Sequence, residues 1–308
     1  MPVEPTARTL LLGVVAIVSI AAAGVGSPLD APELQVAVVA RAVQPGEVVR
    51  VDVKCRCDAA PRLGTPAGDI ALFRVSAASE GGTIHWQALV GLDLATVPGI
   101  YPLGVYAPEQ PAPLRTLDLR VRAKTFATRQ LRVAPSFVEP DAADLERIAR
   151  EATALEALFE RVTPRIWNPP FAAPVAVRPT SNFGARSIFN GQPRAPHTGV
   201  DFSSAVGAPV VAPGAGRIVL ADDLFFTGNT VVIDHGSGLF SLLAHLSIVT
   251  VRQDDVVERG GLVGRVGATG RVTGPHLHWS VRLHGVRVDP LSLLFATRAG
   301  VADTTSVH

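Results

Sequence analysis

Between residues 35 and 133 short apolar runs alternate with turn-forming residues. The runs cover 35–42, 48–53, 70–75, 83–90, 99–106, 116–121 and 128–133. Leu117, Leu119 and Val121 fall on alternate positions, the period of a strand with one buried face. Gln44-Pro45-Gly46-Glu47 breaks the first two runs as a turn should. Seven such runs in succession predict an immunoglobulin-like β-sandwich over residues 28–135.

The period then changes. Leu145, Ile148, Ala152, Leu155, Phe159 and Val162 recur at spacings of three and four behind Asp141, a residue suited to capping. This predicts a linker helix within residues 136–168, with its stripe used for packing between two domains. Pro164, Pro169 and Pro170 end it. From residue 171 to 294 glycine-rich β-runs return at 210–212, 216–221, 229–234, 239–245, 262–266 and 276–283. Asp234-His235-Gly236-Ser237-Gly238 and His284-Gly285 read as hairpin turns. An antiparallel β domain is expected over 169–296, and a flexible tail over 297–308. The fold class expected is mainly β.

Residues 9–25 (TLLLGVVAIVSIAAAGV) form an uncharged apolar run after Arg8, and small residues close it. This predicts a secretory signal over residues 1–27, or an uncleaved anchor in the cytoplasmic membrane. Either way the remainder is expected outside the cytoplasm, in the periplasm or cell envelope. Composition agrees with well-packed, mainly β domains: 47% of residues are apolar, 18% are charged, and Gly (28) and Pro (25) are abundant. A net charge of +1 gives no field to steer the chain onto nucleic acid. Cys55 and Cys57 are too few for a disulfide framework or a zinc ribbon; they read as two ordinary thiols or one bridge.

The chemistry concentrates late in the chain. Six of eight histidines, namely His197, His235, His245, His276, His278 and His284, lie between residues 197 and 284. On a strand, His276 and His278 face one side while Leu277 and Trp279 turn into packing. His197 and Asp201, four apart, also share a face, and Gly199 between them favours an extended or turning backbone. Two imidazoles and one carboxylate suit zinc and leave a fourth position for water, as catalytic sites do. The absence of His-Glu-x-x-His excludes the common metalloprotease helix. His235 and His284 read as structural, His85 and Trp279 as packing residues, and Asp234 and Asp289 as braces of turns.

Several segments together resemble the lysostaphin/LytM-type zinc endopeptidases of the cell wall. They are Ser181-Asn182-Phe183-Gly184-Ala185-Arg186, His197-Thr198-Gly199-Val200-Asp201, Asp234-His235-Gly236, Ala244-His245-Leu246-Ser247 and Thr273-Gly274-Pro275-His276-Leu277-His278. The resemblance spans residues 169–295, and the preceding β block and helix also resemble, less specifically, the module that often precedes this domain.

It implies that His197, Asp201 and His278 bind one Zn2+ per chain, with His245 and His276 beside the bound water as catalytic residues. Asn182 and Arg186 are the expected substrate contacts. The implied substrate is the peptide crosslink of peptidoglycan, and the implied control is autoinhibition by the N-terminal module lying over the groove. Leu243 stands where the family usually carries an aromatic residue, which is expected to alter the cleft wall. The alternative reading is a non-catalytic wall-binding protein or an activator of another wall hydrolase. Loss of a ligand or of a water-flanking histidine would mark it, and none is lost.

Overall fold

The computed structural model describes residues 34–76, 81–132 and 141–298. The apolar run 9–25 and the tail beyond residue 298 lie outside the described residues, and no described helix is long and apolar enough to cross a membrane. The first unit contains β1 (Gln35–Val39), β2 (Val48–Cys55), β3 (Arg62–Thr65), β4 (Gly68–Ala71), β5 (Phe73–Arg74), β6 (Ile84–Gly91), β7 (Gly99–Tyr106) and β8 (Arg115–Val121). They form two four-stranded sheets, ordered β1-β2-β6-β5 and β4-β3-β7-β8. Val49, Val51, Val53, Leu63, Ala88, Leu103 and Val105 pack between them. The sequence pattern misses β3 because Arg62-Leu63-Gly64-Thr65 has one apolar side chain, wholly buried Leu63. Cys55 and Cys57, at the end of β2, form a disulfide.

The run expected as the last sandwich strand leaves the sandwich. β9 (Thr128–Leu131) pairs in parallel with β10 (Arg186–Phe189), Thr128 opposite Arg186, and β11 (Gln192–Pro193) completes a separate three-stranded sheet. Between β9 and β10 in sequence lies helix α1 (Ala142–Phe159). Its N-cap Asp141 accepts from the Asp144 backbone N at 2.8 Å, which satisfies one of the free donors of the first turn.

The helix docks on the second sheet rather than between two domains. Phe159 packs edge-on to Phe240 at 5.6 Å, within a cluster that includes Val232, Leu242 and Ala244. Leu145 and Val162, the outer members of the expected stripe, are exposed.

The second unit contains β12 (Gly199–Ser203), β13 (Pro209–Val211), β14 (Gly216–Leu224), β15 (Gly228–Gly236), β16 (Leu239–Val249), β17 (Val256–Val257), β18 (Leu262–Val266), β19 (His276–Leu283), β20 (Val286–Val288) and the closing helix α2 (Pro290–Ala296). Its nine-stranded sheet runs β12-β19-β16-β15-β14-β17, with β18 joining β13 to β16 and β20 beside β19. Phe202, Ile218, Ile233, Leu246, Leu277 and Trp279 belong to its core. Asp234 and Asp289 brace turns as expected: Asp234 accepts from Gly236 N at 2.7 Å, and Asp289 caps α2 through Leu291 N at 2.9 Å.

The two units are bonded together. Alternate residues of β2 point into the sandwich, while Val48 and Arg50 point at α2. Val48 N donates to Ser292 Oγ at 2.8 Å and Arg50 donates to the Ala296 carbonyl at 2.8 Å. His85, expected as a packing residue, is half-buried and bonds Asp52 on this same face at 2.9 Å. Phe73, buried Trp167 and Phe171 stack edge-to-face along the junction, each pair at 5.1 Å. Arg287 adds a bond to Asp93 at 3.0 Å.

Candidate metal centre and active site

Strand pairing assembles the centre. β12 runs antiparallel to β19 with Asp201 directly opposite His278 and Ser203 opposite His276. Cross-strand partners have neighbouring Cβ atoms, so the carboxylate and the imidazole meet without any loop having to place them. Period two puts His276 and His278 on one face, and Leu277 and Trp279 are wholly buried on the other. Gly199 makes the approach fit. A Cβ there would lie 2.8 Å from His278 Nε2 and 2.4 Å from the Trp279 carbonyl oxygen.

His197, just before β12, completes the cluster. His197 Nε2 lies 3.1 Å from Asp201 Oδ1 and 3.0 Å from His278 Nδ1, and His278 Nδ1 lies 2.9 Å from Asp201 Oδ1. Donors bound at 2.0–2.1 Å to one tetrahedral ion stand roughly 3.3 Å apart. Two ring nitrogens and one carboxylate oxygen converging at nearly that spacing are the donor set a zinc-type ion takes. These three residues alone make up such a cluster among the described residues. Their side chains remain between 13% and 25% exposed, so water can reach the centre.

Three of the four imidazoles are held from behind. His197 Nδ1 donates to the Asn182 carbonyl at 3.2 Å, His245 Nδ1 to the Thr269 carbonyl at 3.0 Å, and His276 Nδ1 to the Gly274 carbonyl at 2.8 Å. A carbonyl only accepts, so the proton sits on Nδ1 and the Nε2 lone pair is free toward the centre. Asp201 is fixed in turn: its backbone N donates to Ser181 Oγ at 2.8 Å and its carbonyl accepts from Thr180 N at 2.7 Å.

Electrostatics follow from this crowding. Burial works to raise the Asp201 carboxyl, but bonds from His197 and His278 hold it far below the usual carboxylate range. Burial also opposes protonation of His197, and Asp201 outweighs it, so that ring is raised. His278 is lowered, chiefly by burial. His245 falls to about 4 through burial and the neighbouring His278 and His276, which keeps it neutral at physiological pH.

His245 stands apart from a regular strand. Its φ is +65°, and the β15–β16 pairing shifts register between Asn229 and Val231 opposite it. The bulge turns its ring to within 4.7 Å of the His276 ring, centroid to centroid. It also inverts the alternation, so that Leu243, two positions earlier, is wholly buried in the core. The expectation that Leu243 shapes the cleft wall is therefore corrected. Asn182 is exposed and meets His197 through its backbone carbonyl; Arg186 is exposed on β10. His235, read as structural, is fully buried between the Ala215 carbonyl (2.8 Å) and Ser241 Oγ (2.9 Å). Sequence reasoning missed Thr227 and Thr269, whose carbonyls hold His245; only the glycines beside them, Gly228 and Gly270, hinted at a close crossing.

An antiparallel β domain that converges two imidazoles and a carboxylate, with two more imidazoles alongside and solvent access, has the construction of a metal-dependent hydrolase centre. The comparisons with known proteins agree. Residues 195–290 match Peptidase family M23. A crystal structure of a candidate M23 peptidase from Pseudomonas aeruginosa is 34% identical, covers 82% of this chain and 96% of its own, and superposes with a TM-score of 0.62. The chain belongs to peptidase family M23.

Among curated relatives, the peptidoglycan DD-endopeptidase ShyA of Vibrio cholerae is 40% identical over 115 residues, 37% of this chain and 27% of that protein. The DD-carboxypeptidase/endopeptidase Mpg of Neisseria meningitidis is 43% identical over 102 residues, 33% of this chain and 23% of that protein. The chain thus spans about a quarter of the length of these relatives.

Proposed function

We propose that this chain is an exported zinc-dependent endopeptidase that hydrolyses peptide crosslinks of peptidoglycan. The observation that carries the reading is the meeting of His197, Asp201 and His278, with donor atoms 2.9–3.1 Å apart, beside His245 and His276. A zinc ion held there would supply Lewis acidity toward the scissile carbonyl and a lowered pKa for the attacking water. Of His245 and His276, each with an unprotonated Nε2, one accepts the proton of the attacking water, donates with it to the oxyanion of the tetrahedral intermediate, and passes it to the departing amine. The name of ShyA supplies the substrate class.

The finer parts of the proposal have their own support. Export, with or without retention of an anchor, rests on the apolar run 9–25. The immunoglobulin-like assignment of residues 28–135 is supported by the two strand orders β1-β2-β6-β5 and β4-β3-β7-β8, the pairing of such sandwiches with one added strand. Gating by the N-terminal module is supported by β9, which lies alongside β10 near the centre. Asn182 and Arg186 are proposed substrate contacts because they are exposed near His197 and along β10.

Digestion of purified, crosslinked peptidoglycan by the zinc-loaded protein, read by mass spectrometry of the muropeptides, tests the activity. Cleaved crosslinks that disappear with chelator are expected. Intact crosslinks after digestion with protein carrying one zinc per chain would overturn the reading.

A further inference from the structure

The bulge that presents His245 needs support, because a φ of +65° is disfavoured for a residue bearing a Cβ. Two carbonyls hold it: Thr227 O accepts the His245 backbone N at 2.8 Å, and Thr269 O accepts its ring Nδ1 at 3.0 Å. Thr227 lies in the connection between β14 and β15, and Thr269 in the loop between β18 and β19. These two segments cross back to back. A Cβ on Gly228 would lie 2.4 Å from Gly270 N, and one on Gly270 would lie 2.4 Å from Gly228 N. Arg271 N donates to Phe226 O at 3.0 Å and Asn229 N to Thr269 Oγ1 at 3.0 Å. The crossing therefore moves as one piece, and His245 moves with it.

One outside element grips that piece. Glu151 of α1 accepts the Phe225 backbone N at 2.8 Å through Oε2, while its other oxygen accepts from Arg147. Arg147 also donates to the Asp223 carbonyl at 2.7 Å and to its carboxylate at 3.1 Å. Phe225 is two residues before Thr227, and the helix itself is seated by Phe159 on Phe240.

We infer that Glu151 is a positioning residue for His245, acting through the β14–β15 connection without touching the reacting atoms. The inference rests on the hydrolase reading above. The ligand residues are placed by the pairing of β12 with β19, and β19 adjoins this path through β16, where Ala244 lies opposite His278; Glu151 bonds neither ligand strand, so zinc binding is expected to be retained.

The test uses the full zinc-loaded chain with four proteins: wild type, Glu151→Ala, Glu151→Gln and Glu146→Ala. Glu146 pairs with Arg150 on an exposed part of the same helix and serves as the control. Four quantities are read: kcat, KM, zinc per chain, and amide exchange of the His245 peptide. Glu151→Ala is expected to lower kcat on the order of tenfold, with KM and zinc content unchanged and faster exchange at His245. Glu151→Gln keeps an acceptor for Phe225 N and restores most of the rate, and Glu146→Ala matches wild type.

Wild-type kcat and wild-type His245 exchange in Glu151→Ala would overturn the inference, and so would an equal loss in Glu146→Ala. If Glu151→Ala does not fold, Arg147→Gln, which frees Glu151 and Asp223 from the helix side, carries the same expectation and the same overturning result. A zinc-loaded wild type that cleaves no crosslink overturns the hydrolase reading and this inference with it.

Discussion

Arg41 and Asp289 stand 248 positions apart in sequence and meet at 2.6 Å across the junction of the two β units. The same guanidinium donates to Glu47 at 2.8 Å, and Lys124 approaches that carboxylate at 3.1 Å. Burial would raise the Glu47 carboxyl, but its bonds to Arg41 hold it below the usual range. Asp289 also caps α2, and its backbone N donates to Gly46 O at 2.6 Å. The sandwich thereby braces the end of the strand pair β19–β20, of which β19 carries His276 and His278.

Removing Arg41 leaves two buried carboxylates without their main partner. Breaking such a pair costs more than the pair contributes, because the remaining charge stays desolvated. Arg41 is itself 35% exposed, so the loss is scaled down from a fully buried case. Arg41→Ala is expected to destabilise the chain by about 2 kcal/mol in urea unfolding. Wild type should unfold in one transition, since the network ties both units. A wild-type curve with two separated transitions would show that the junction does not couple them.

Gly199 predicts a defect confined to the metal centre. Gly199→Ala places a methyl group 2.8 Å from His278 Nε2 and 2.4 Å from a strand carbonyl. The imidazole has to rotate off its place opposite Asp201, or β12 has to separate from β19. Zinc affinity is expected to fall on the order of 10–100-fold, the scale of losses when a ligand's supporting contacts are disturbed. Competition against a chelating dye measures it. Unchanged affinity would mean that His278 is placed by something other than this close approach.

Period two made much of this centre legible in the sequence. His276-Leu277-His278-Trp279 states its own geometry, since alternate side chains must part to opposite faces, and Leu277 and Trp279 are buried as that requires. The pairing of Asp201 with His278 is not local, so spacing alone could suggest the donor set but not the register that joins it. The bulge at His245 was invisible for a related reason. It depends on carbonyls of Thr227 and Thr269, which come from two other segments, and it also reversed the expectation for Leu243.

Arg50 and Asp52 alternate with the valines of β2, and both are buried because the second unit covers that face, a burial that no local pattern carries. The run at 128–133 has the composition of a sandwich strand, and only a partner from a later segment, β10, takes it into a separate sheet.

His245 and His276, proposed to flank the bound water, should separate from the proposed ligands in their effects. His245→Ala and His276→Ala leave His197, Asp201 and His278 in place, so zinc should stay near one per chain. Hydrolysis should fall by roughly 10²–10⁴, the contribution typical of a positioned acid or base. Asp201→Asn and His278→Ala should instead lose the metal and activity together. Zinc analysis paired with muropeptide release distinguishes the classes; metal loss in His245→Ala would move that residue into the ligand set.

His235 predicts how stability follows pH. Its ring is fully buried, bonded at both nitrogens, and packed edge-on to Phe171 at 4.9 Å. Burial lowers its pKa from 6.5 to about 4. The folded state therefore binds the proton more weakly than the unfolded chain does, and stability must rise with pH wherever the unfolded form holds more protons. The contribution is fully present above pH 6.5 and is lost as pH falls toward 4. A shift of this size amounts to roughly 3 kcal/mol. Glu47, Asp52 and Asp93, all lowered from their ordinary values, add their losses at still lower pH and do so equally in a variant. Urea unfolding of wild type and His235→Gln at intervals from pH 7.5 to 4 isolates the term as the difference in slope. The wild-type curve is expected to drop more steeply between pH 6.5 and 4, and parallel curves would show that His235 does not set the acid sensitivity.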